Sequence, residues 1–566
     1  MPLPGKQMAG KKVQVTGKSW FFEVDGAAVR RFMGVRAVLG RLGRRAYVLA
    51  AVAVLALLAA PAAGAGAATP VPPQVQLAID SVQSKPEYER SNFGLLVADR
   101  DTGEILINQN SDKLFTTGSI MKTFTASTAL SEYGTDYRFR TKVFRRGKVN
   151  KRTLKGNLVL AGAGDYAFGL RDESEDTMGY NSTPTIDHSY ADTGLPGPTL
   201  LKGSDPLRGV TDLARDIRKS GIREVKGNVV LDDRLFKTYK EWPDGDISPV
   251  WLNENLIDAE ARPTKVGKPA KVHWRPKTSM YKVVNRTKTG PKGSQASLEL
   301  SQPKNGKLVL SGRIPLGSEP LLNNVQVGNP SALVRTALID ALKREGVKVK
   351  AKTVAKNPRK LLPGNRVMKS GKKVGVFVSR PMSEMVKVIL KVSFNRGADF
   401  MACLVAVNRG SRTCEDGLLP IYQNNTALGV PDGTTYLYDG AGSDDRDRTS
   451  PGGAVALLDG VLGESYGQAI YDGLPIYGVD GTFRVDGLDS PAKGKIRAKS
   501  GNRVAFLTED LGIVGAQTRM GFIETEGGRN LIYADLINNV PATSPLIIFD
   551  INDDMDTMEV SIQQGY

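Results

Sequence analysis

The stretch TTGSIMKTFTASTAL, residues 116–130, places a single charged residue inside an otherwise uncharged run of helix formers. Lys122 lies three residues after Ser119, and residues at i and i+3 share one face of a helix. The pattern predicts a helix of about 14 residues that ends near Gly134. The lysine amine then lies one turn from the serine hydroxyl, on a side that also carries apolar residues. A desolvated amine in that position is able to accept the hydroxyl proton, so the spacing predicts a serine nucleophile with a lysine base.

The composition predicts a folded protein of two or more domains with a basic surface. A chain of 566 residues is too long for one core, and 40% hydrophobic with 24% charged residues is typical of globular proteins. Of the net charge of +18, residues 1–45 carry +8, from ten basic and two acidic residues, and the remaining +10 is interspersed with acidic residues. No arginine-rich stripe with interleaved aromatic residues is evident, so we expect no nucleic acid partner. Anionic cell-wall polymers are compatible with such a surface.

The beginning of the chain resembles an export signal. A basic extension, residues 1–45, leads into residues 46–68, which begin with AYVLAAVAVLALLAA and continue with small residues. This order is that of a secretory signal. The apolar run is shorter than the roughly 20 residues of a spanning helix, which favours cleavage near residues 65–68 over a membrane anchor. A translation start at Met33 would give a more typical signal. We therefore expect a location in the extracytoplasmic cell envelope, either secreted or anchored to the outer face of the membrane.

Cys403 and Cys414 are the only cysteines of the sequence. In an exported chain, a pair at this spacing most simply forms a disulfide bond. A metal site is the rival interpretation, but His188 and His273 are the only histidines, which makes a poor ligand set. We therefore predict no metal. The shortage of histidine also disfavours a Ser-His-Asp site without excluding it.

The pattern of helices and strands predicts a mixed α/β (α+β) fold with an insertion. Residues 92–110 predict two strands joined by a turn at residues 101–103, and Gly527-Gly528 marks a hairpin between two apolar strands. The long middle region, up to about residue 325, is rich in short β-like runs, and helical periodicity is clear after it, in residues 330–349 and 380–410. The predicted organisation is one domain formed by residues 70–142 and 327–566, interrupted by a β-rich insertion at residues 143–326.

Two further motifs carry hydroxyl, amide and amine groups. Ser393-Phe394-Asn395 lies between two apolar helical segments, where it is either a functional loop or an ordinary polar helix end. Lys499-Ser500-Gly501 lies in a strand-like run, with a small residue where another backbone approaches. Both Ser-x-x-Lys and this tripeptide recur elsewhere, but only Ser119 heads an uninterrupted helix. The other copies of the tripeptide precede Ser393 and begin at Lys219, Lys288 and Lys369.

In this order, the three motifs resemble the signatures of penicillin-binding proteins and serine β-lactamases. The distance from Ser119 to Ser393 is 393 − 119 = 274 residues. Such a gap is similar to that of the class C low-molecular-mass penicillin-binding proteins, the peptidase S13 family, which carry extra domains at this place. VADRDTGEIL, GNLVLAGAGD and LYDGAGSDDRDR also resemble segments of that family. Three residues depart from its pattern: Ser500 replaces the commoner threonine, Phe394 a frequent aspartate, and Ala441 the usual serine.

The resemblance implies a D-alanyl-D-alanine carboxypeptidase or endopeptidase with a penicillin-binding, β-lactamase-like domain in which helices flank an antiparallel sheet. Ser119 would attack the penultimate D-alanine carbonyl, with Lys122 as general base and the backbone N–H groups of Ser119 and Asn502 as oxyanion hole. Ser393 would pass a proton to the leaving amine. Asn395 would hold Lys122 and the substrate amide.

Lys499 and Ser500 would receive the substrate carboxylate beside Gly501, and no metal or organic cofactor is implied. The implied partners are peptidoglycan stem peptides and β-lactams, which would acylate Ser119. Two alternatives stay open from the sequence: a serine β-lactamase-like hydrolase, and a catalytically impaired envelope-binding protein with the same fold.

Overall fold

The computed structural model describes residues 70–193, 197–239, 245–364, 371–508, 511–544 and 546–566. The predicted basic extension, residues 1–45, and the predicted signal or anchor, residues 46–68, lie outside these ranges. Among the described residues, no helix combines the length and the apolar character needed to cross a membrane.

The helices and strands are numbered in chain order. The helices are α1 (Pro73–Gln83), α2 (Met121–Tyr133), α3 (Arg208–Lys219), α4 (Pro330–Arg344), α5 (Met382–Lys391), α6 (Asn395–Asn408), α7 (Leu418–Ala427), α8 (Pro451–Leu462), α9 (Gly467–Gly473) and α10 (Ile547–Gly565). The strands are β1 (Asn92–Asp99), β2 (Ile105–Gln109), β3 (Phe115–Thr116), β4 (Arg140–Asn150), β5 (Thr153–Ala161), β6 (Ile186–Asp187), β7 (Pro198–Thr199), β8 (Glu224–Val225), β9 (Val229–Asp232), β10 (Leu256–Arg262), β11 (Lys271–Arg275), β12 (Lys282–Gly290), β13 (Ser297–Leu300), β14 (Lys307–Pro315), β15 (Leu321–Gln326), β16 (Lys348–Val349), β17 (Lys372–Val378), β18 (Thr435–Tyr436), β19 (Arg448–Thr449), β20 (Ile496–Thr508), β21 (Leu511–Glu524), β22 (Asn530–Asn538) and β23 (Val540–Ala542).

The first sheet joins distant parts of the chain. Its strand order is β2-β1-β22-β21-β20, with β23 paired to β21, and all of its pairs are antiparallel. The predicted turn between β1 and β2 is confirmed, and the Asp99 carboxylate stabilises it by accepting from the backbone N–H groups of Asp101 and Thr102. The predicted hairpin at Gly527-Gly528 joins β21 to β22. Because β1 pairs with β22, the two ends of the described chain share one sheet.

Helix α2 lies in the core beside this sheet. Residues 121–130 are all buried, and Phe124 shares a cluster with Met385 and Leu404 from α5 and α6. A helix that is enclosed on every side has little room for charge, which explains the uncharged sequence around Lys122. The helix ends before Gly134, whose φ of +81° favours glycine, so the predicted end is confirmed.

A second set of strands forms an inserted lobe, here residues 140–378. Its main sheet has the order β16-β8-β5-β4-β17, with β9 paired to β5, and two three-stranded sheets follow, β11-β10-β15 and β12-β14-β13. The lobe therefore contains the β-rich segment that the sequence predicted.

The predicted second boundary of the insertion, residue 327, is wrong. Helix α4 packs against α3, strand β17 pairs with β4, and Leu333, Leu338 and Phe377 share a core cluster with Leu158 of β5. The helices of the first sheet's core resume with α5, whose Met385 and Ile389 share a cluster with Phe124. Helical periodicity shows that a helix has a buried face, but it does not show which core buries that face, so α4 was assigned to the wrong part.

Candidate active site

The Ser119–Lys122 pair forms as the spacing predicts. Ser119 lies in the short 3-10 turn Gly118–Ile120, which runs directly into α2. The Lys122 Nζ donates to Ser119 Oγ at 2.6 Å and to the Ala441 carbonyl oxygen at 2.9 Å. Lys122 is 0% exposed. The hydroxyl therefore has a dry amine within hydrogen-bond distance, which is the geometry that an activated nucleophile requires.

The loop at residues 439–444 holds the second partner of Lys122. The Asp439 carboxylate accepts from the backbone N–H groups of residues 441, 442, 443 and 444. Ala441 occupies the position where the resemblance expects serine, but the lysine contact uses its backbone oxygen and does not need a hydroxyl. Asp439 was not among the predicted site residues, although an Asp-Gly pair is a known turn signal.

Ser393 and Lys499 form a second pair of a hydroxyl and an amine. The Lys499 Nζ, on β20, donates to Ser393 Oγ at 2.9 Å and to the Ser500 carbonyl oxygen at 2.6 Å. Burial and the positive charge of Lys122 lower the pKa of Lys499 well below its ordinary value. Since the two lysines influence each other electrostatically, the two pairs belong to one centre.

The backbone of β20 lies against the turn that carries Ser119. A Cβ atom on Gly501 would lie 2.5 Å from the Ser119 nitrogen, and one on Gly118 would lie 2.8 Å from the Asn502 nitrogen. Gly118 also has φ of +51°, in the left-handed region that favours glycine. The close approach therefore needs glycine on both sides, and it places the Ser119 and Asn502 nitrogens beside the same contact. Ser500, partly buried, occupies the preceding position of the strand.

Asn395 begins α6 and lies beside a tyrosine from the inserted lobe. The Tyr190 hydroxyl donates to the Ser393 carbonyl oxygen and lies 3.2 Å from Asn395 Oδ1. Ser393 has φ of +58°, which is uncommon outside glycine and asparagine. Tyr190 therefore contacts both Ser393 and Asn395, the first and last residues of the motif. Its hydrogen bond to Ser393 is made at the residue with the positive φ. Sequence reasoning missed Tyr190, because it lies in an irregular segment more than two hundred residues before Ser393 and belongs to no motif.

Phe394 has a structural reason to replace the aspartate that is frequent at its position. It is buried, with ring centroids 5.5 Å from Tyr166 and 6.3 Å from Trp251, and the Arg171 guanidinium lies 5.8 Å from its ring centroid. An ionised carboxylate among these rings would lose its hydration, whereas a phenyl ring packs well. Phe394 thus ties the motif to the inserted lobe.

Beneath Tyr190 lies a network of buried charges, which we call the ion cluster: Arg171, Asp187, His188, Glu254, Asp258 and Arg275. The Arg171 guanidinium donates to both Asp187 oxygens at 2.9 Å and to Glu254 Oε2 at 2.9 Å. The His188 ring nitrogens lie 3.1 Å from Asp258 and from Glu254.

The electrostatics of the ion cluster hold its groups in their charged forms. Burial by itself would lower the pKa of His188, but the Asp258 carboxylate raises it to about 9. Burial would raise the pKa of Asp187, but Arg171 holds it well below its usual range. Asp187, His188 and Glu254 are close enough together to hold a metal ion. The Arg171 guanidinium already binds both of those carboxylates, so these residues fit an ion-pair network better than a metal site.

Cys403 and Cys414 form a disulfide bond, as predicted. The bond joins α6 to the turn that precedes α7 and lies in the same core as α2.

Three comparisons with known proteins show what this chain is similar to. A D-alanyl-D-alanine carboxypeptidase of Actinomadura sp. (strain R39) is 24% identical over 83% of this chain and 82% of its own length. The D-alanyl-D-alanine carboxypeptidase DacB of Haemophilus influenzae is 21% identical over 84% of this chain and 92% of its own length.

The crystal structure of penicillin-binding protein 4 (dacB) from Haemophilus influenzae superposes with a TM-score of 0.63 at 19% identity, over 86% of this chain and 98% of the other. This likeness confirms the predicted fold class. The model of the D-Ala-D-Ala carboxypeptidase 3 (S13) family matches residues 75–561, a span that includes every motif described above. The chain therefore belongs to the S13 family of D-Ala-D-Ala carboxypeptidases.

Proposed function

We propose that this enzyme is a serine DD-peptidase that hydrolyses the D-alanyl-D-alanine terminus of peptidoglycan stem peptides through an acyl-enzyme on Ser119. The observation that carries the proposal is the 2.6 Å contact between Ser119 Oγ and the buried Lys122 amine, beside a second hydroxyl and amine pair. Membership of the S13 family supports the reaction class. Action on peptidoglycan implies a place of action outside the cytoplasm.

Acylation begins at Ser119. As its Oγ attacks the carbonyl carbon of the penultimate D-alanine, Lys122 Nζ takes the hydroxyl proton. Negative charge then develops on the carbonyl oxygen. The backbone N–H groups of Ser119 and Asn502 flank the contact between the turn and β20, and they stabilise that oxyanion as hydrogen-bond donors.

The leaving group departs with a proton. When the bond between the carbonyl carbon and the amide nitrogen breaks, the proton taken by Lys122 reaches the leaving amine by way of the Ser393 hydroxyl. The contact between Lys499 and Ser393 Oγ fixes that hydroxyl in place. Water then attacks the acyl-enzyme with Lys122 again as base, which releases the shortened peptide and restores Ser119.

Lys499 and the Ser500 hydroxyl receive the terminal carboxylate of the substrate. Within the described chain, no carboxylate forms an ion pair with Lys499, and Lys499 is 0% exposed. A buried cation without a counter-charge is costly, so an anionic ligand at this place relieves that cost. Lys499 therefore favours binding of the end of the substrate that carries a free carboxylate.

Penicillins place a reactive amide carbonyl beside a carboxylate, and we propose that they acylate Ser119 in the same way. The penicillin-binding protein 4 structure from Haemophilus influenzae also exists as a complex with a β-lactam, with a TM-score of 0.61 to this chain at 20% identity. Cross-linked stem peptides contain the same kind of D-alanyl amide, so the proposal includes endopeptidase action on them.

The test measures D-alanine release from a synthetic peptide that ends in D-alanyl-D-alanine. We expect release by the purified protein and none above background by Ser119→Ala. Ser127→Ala is the matched control, because Ser127 is a buried serine of the same helix whose hydroxyl donates to the Phe124 carbonyl oxygen. Release that persists in Ser119→Ala would contradict the proposal.

A further inference from the structure

The net positive charge of the chain beyond its basic N-terminal extension is concentrated in one segment. Residues 262–316 contain thirteen lysine and arginine residues and one acidic residue, Glu299, a net charge of +12. This exceeds the +10 carried by all residues after 45, so the interspersed distribution expected from the sequence is wrong for this segment. The segment contains strands β11, β12, β13 and β14 of the inserted lobe.

Five of these cations lie on one face of the sheet β12-β14-β13. We call them the basic face: Lys282, Arg286, Lys288, Lys307 and Arg313. All five are exposed, while Leu308, Leu310 and Ile314 alternate with them along β14 and are buried in the lobe's core. Side chains alternate between the two faces of a strand, so this face is the one turned away from the core.

The strand register sets like charges side by side. β12 and β14 are parallel neighbours, with Lys282 opposite Lys307 and Lys288 opposite Arg313. Like charges directly opposite each other destabilise a sheet. Glu299 lies opposite Ser311 on the third strand, and none of the five cations forms an ion pair with a residue that the structure describes. The fold therefore holds these cations at a cost, which a ligand of opposite charge would relieve.

We propose that the basic face binds a linear cell-wall polymer with repeating phosphodiester groups. Residues two apart on one strand, such as Arg286 and Lys288, present their side chains about 7 Å apart. Six single bonds in an extended chain also span about 7 Å, judged from the roughly 3.5 Å spanned by the three bonds of one residue. A short polyol phosphate repeat has about that length, so successive phosphates would meet successive cations.

The composition of the face argues against two other polyanions. A membrane surface is bound more tightly when exposed apolar side chains accompany the cations. Val284 and Val309 on the outer face are only partly exposed, and the large exposed apolar residues of this segment, Val266 and Leu316, lie outside the basic face. Single-stranded nucleic acid is held by aromatic stacking in addition to charge, and none of the five residues has an aromatic neighbour on its strand's outer face. A polymer recognised mainly through its phosphates needs neither.

The test measures binding of the purified protein to immobilised poly(glycerol phosphate) as salt is varied. One variant changes the five residues of the basic face to glutamine. The matched control removes the same number of exposed cations from the other part of the molecule: Arg90→Gln, Arg100→Gln, Lys113→Gln, Arg484→Gln and Lys493→Gln.

We expect the basic-face variant to lose affinity about tenfold or more and to show a shallower salt dependence, since fewer counterions are released. The control should stay within about twofold, and both variants should release D-alanine from a small peptide at the wild-type rate, which separates this proposal from the catalytic one. Equal losses in the two variants, or no binding by the wild-type protein, would overturn the proposal. Tighter binding to phosphatidylglycerol vesicles or to single-stranded DNA than to the polymer would also overturn it.

Discussion

Two groups of buried charges contact the Ser393–Asn395 turn, and their electrostatics are opposite. In the ion cluster of the inserted lobe, cations and carboxylates alternate, and Asp258 raises the pKa of His188 to about 9 in spite of burial. In the proposed active site, two lysines lie near each other, and burial together with Lys122 lowers the pKa of Lys499. Both groups are buried, so the charges of the neighbouring side chains decide whether the pKa is raised or lowered.

The comparison separates a structural role of buried charge from a chemical one. A buried group with opposite charges around it is held in its charged form, and it gives rigidity to the segment that carries it. A buried amine beside another amine gives up its proton more easily, or binds an anion more tightly, than an exposed one does.

Removing the Lys122 amine should have the largest effect on chemistry. In Lys122→Met, we expect the rate of acylation by penicillin to fall about a thousandfold, because the base is lost while the chain volume is nearly kept. Stopped-flow acylation measures this. The control is Lys391→Met, because Lys391 is also buried but is paired with Asp480. That variant should lose stability and keep its acylation rate as long as it is folded; a similar rate loss in both variants would contradict the contrast.

Breaking the ion cluster should act on stability. Arg171→Met removes the guanidinium that binds both the Asp187 and the Glu254 carboxylates, and we expect the free energy of unfolding to fall by about 3–5 kcal/mol. Urea unfolding followed by fluorescence measures this. Arg529→Met is the control, since Arg529 pairs with Asp99 and Glu104 but is partly exposed. Its loss should be about 1 kcal/mol or less. Equal losses of unfolding free energy in the two variants would show that the buried ion pairs stabilise the protein no more than the partly exposed ones.

The pH profile tests the lowered pKa of Lys499. Carboxylate binding requires the protonated amine, so kcat/KM should fall as pH rises through the pKa of Lys499, which lies well below 10.5. In Lys499→Arg the guanidinium stays protonated, so the alkaline fall assigned to residue 499 should disappear or move to higher pH. If kcat/KM falls at the same alkaline pH in Lys499→Arg as in the wild-type protein, the titrating group is not Lys499.

Tyr190 should have the smallest effect of the four. In Tyr190→Phe, we expect kcat/KM to fall about tenfold, since one hydrogen bond to the Ser393 carbonyl oxygen is lost and the turn is less well positioned. Tyr180→Phe is the control, because the Tyr180 hydroxyl bonds to the Asp480 carboxylate and not to the Ser393–Asn395 turn. If the two variants behave alike, the inserted lobe does not position the site.

Local patterns predicted the parts of the site that are close in sequence. The Ser119–Lys122 pair follows from helical spacing, and β20 follows from its apolar run, so both were predictable. The Ala441 contact was not, because it uses a backbone oxygen that any residue supplies. The ion cluster draws its members from residues 171–275 with no regular spacing, and only the fold brings them together. The helical periodicity of α4 likewise predicted a buried face, but it did not show that this face packs into the core of the inserted lobe.

The serine that reacts with penicillin decides between the two hydroxyl and amine pairs of the site, Ser119–Lys122 and Ser393–Lys499. The purified protein is incubated with penicillin, digested, and mapped by mass spectrometry, with Ser119→Ala and Ser393→Ala in parallel. We expect one acyl group on Ser119, absent from Ser119→Ala and still formed, more slowly, in Ser393→Ala. An adduct on Ser393, or one that persists in Ser119→Ala, would contradict this expectation.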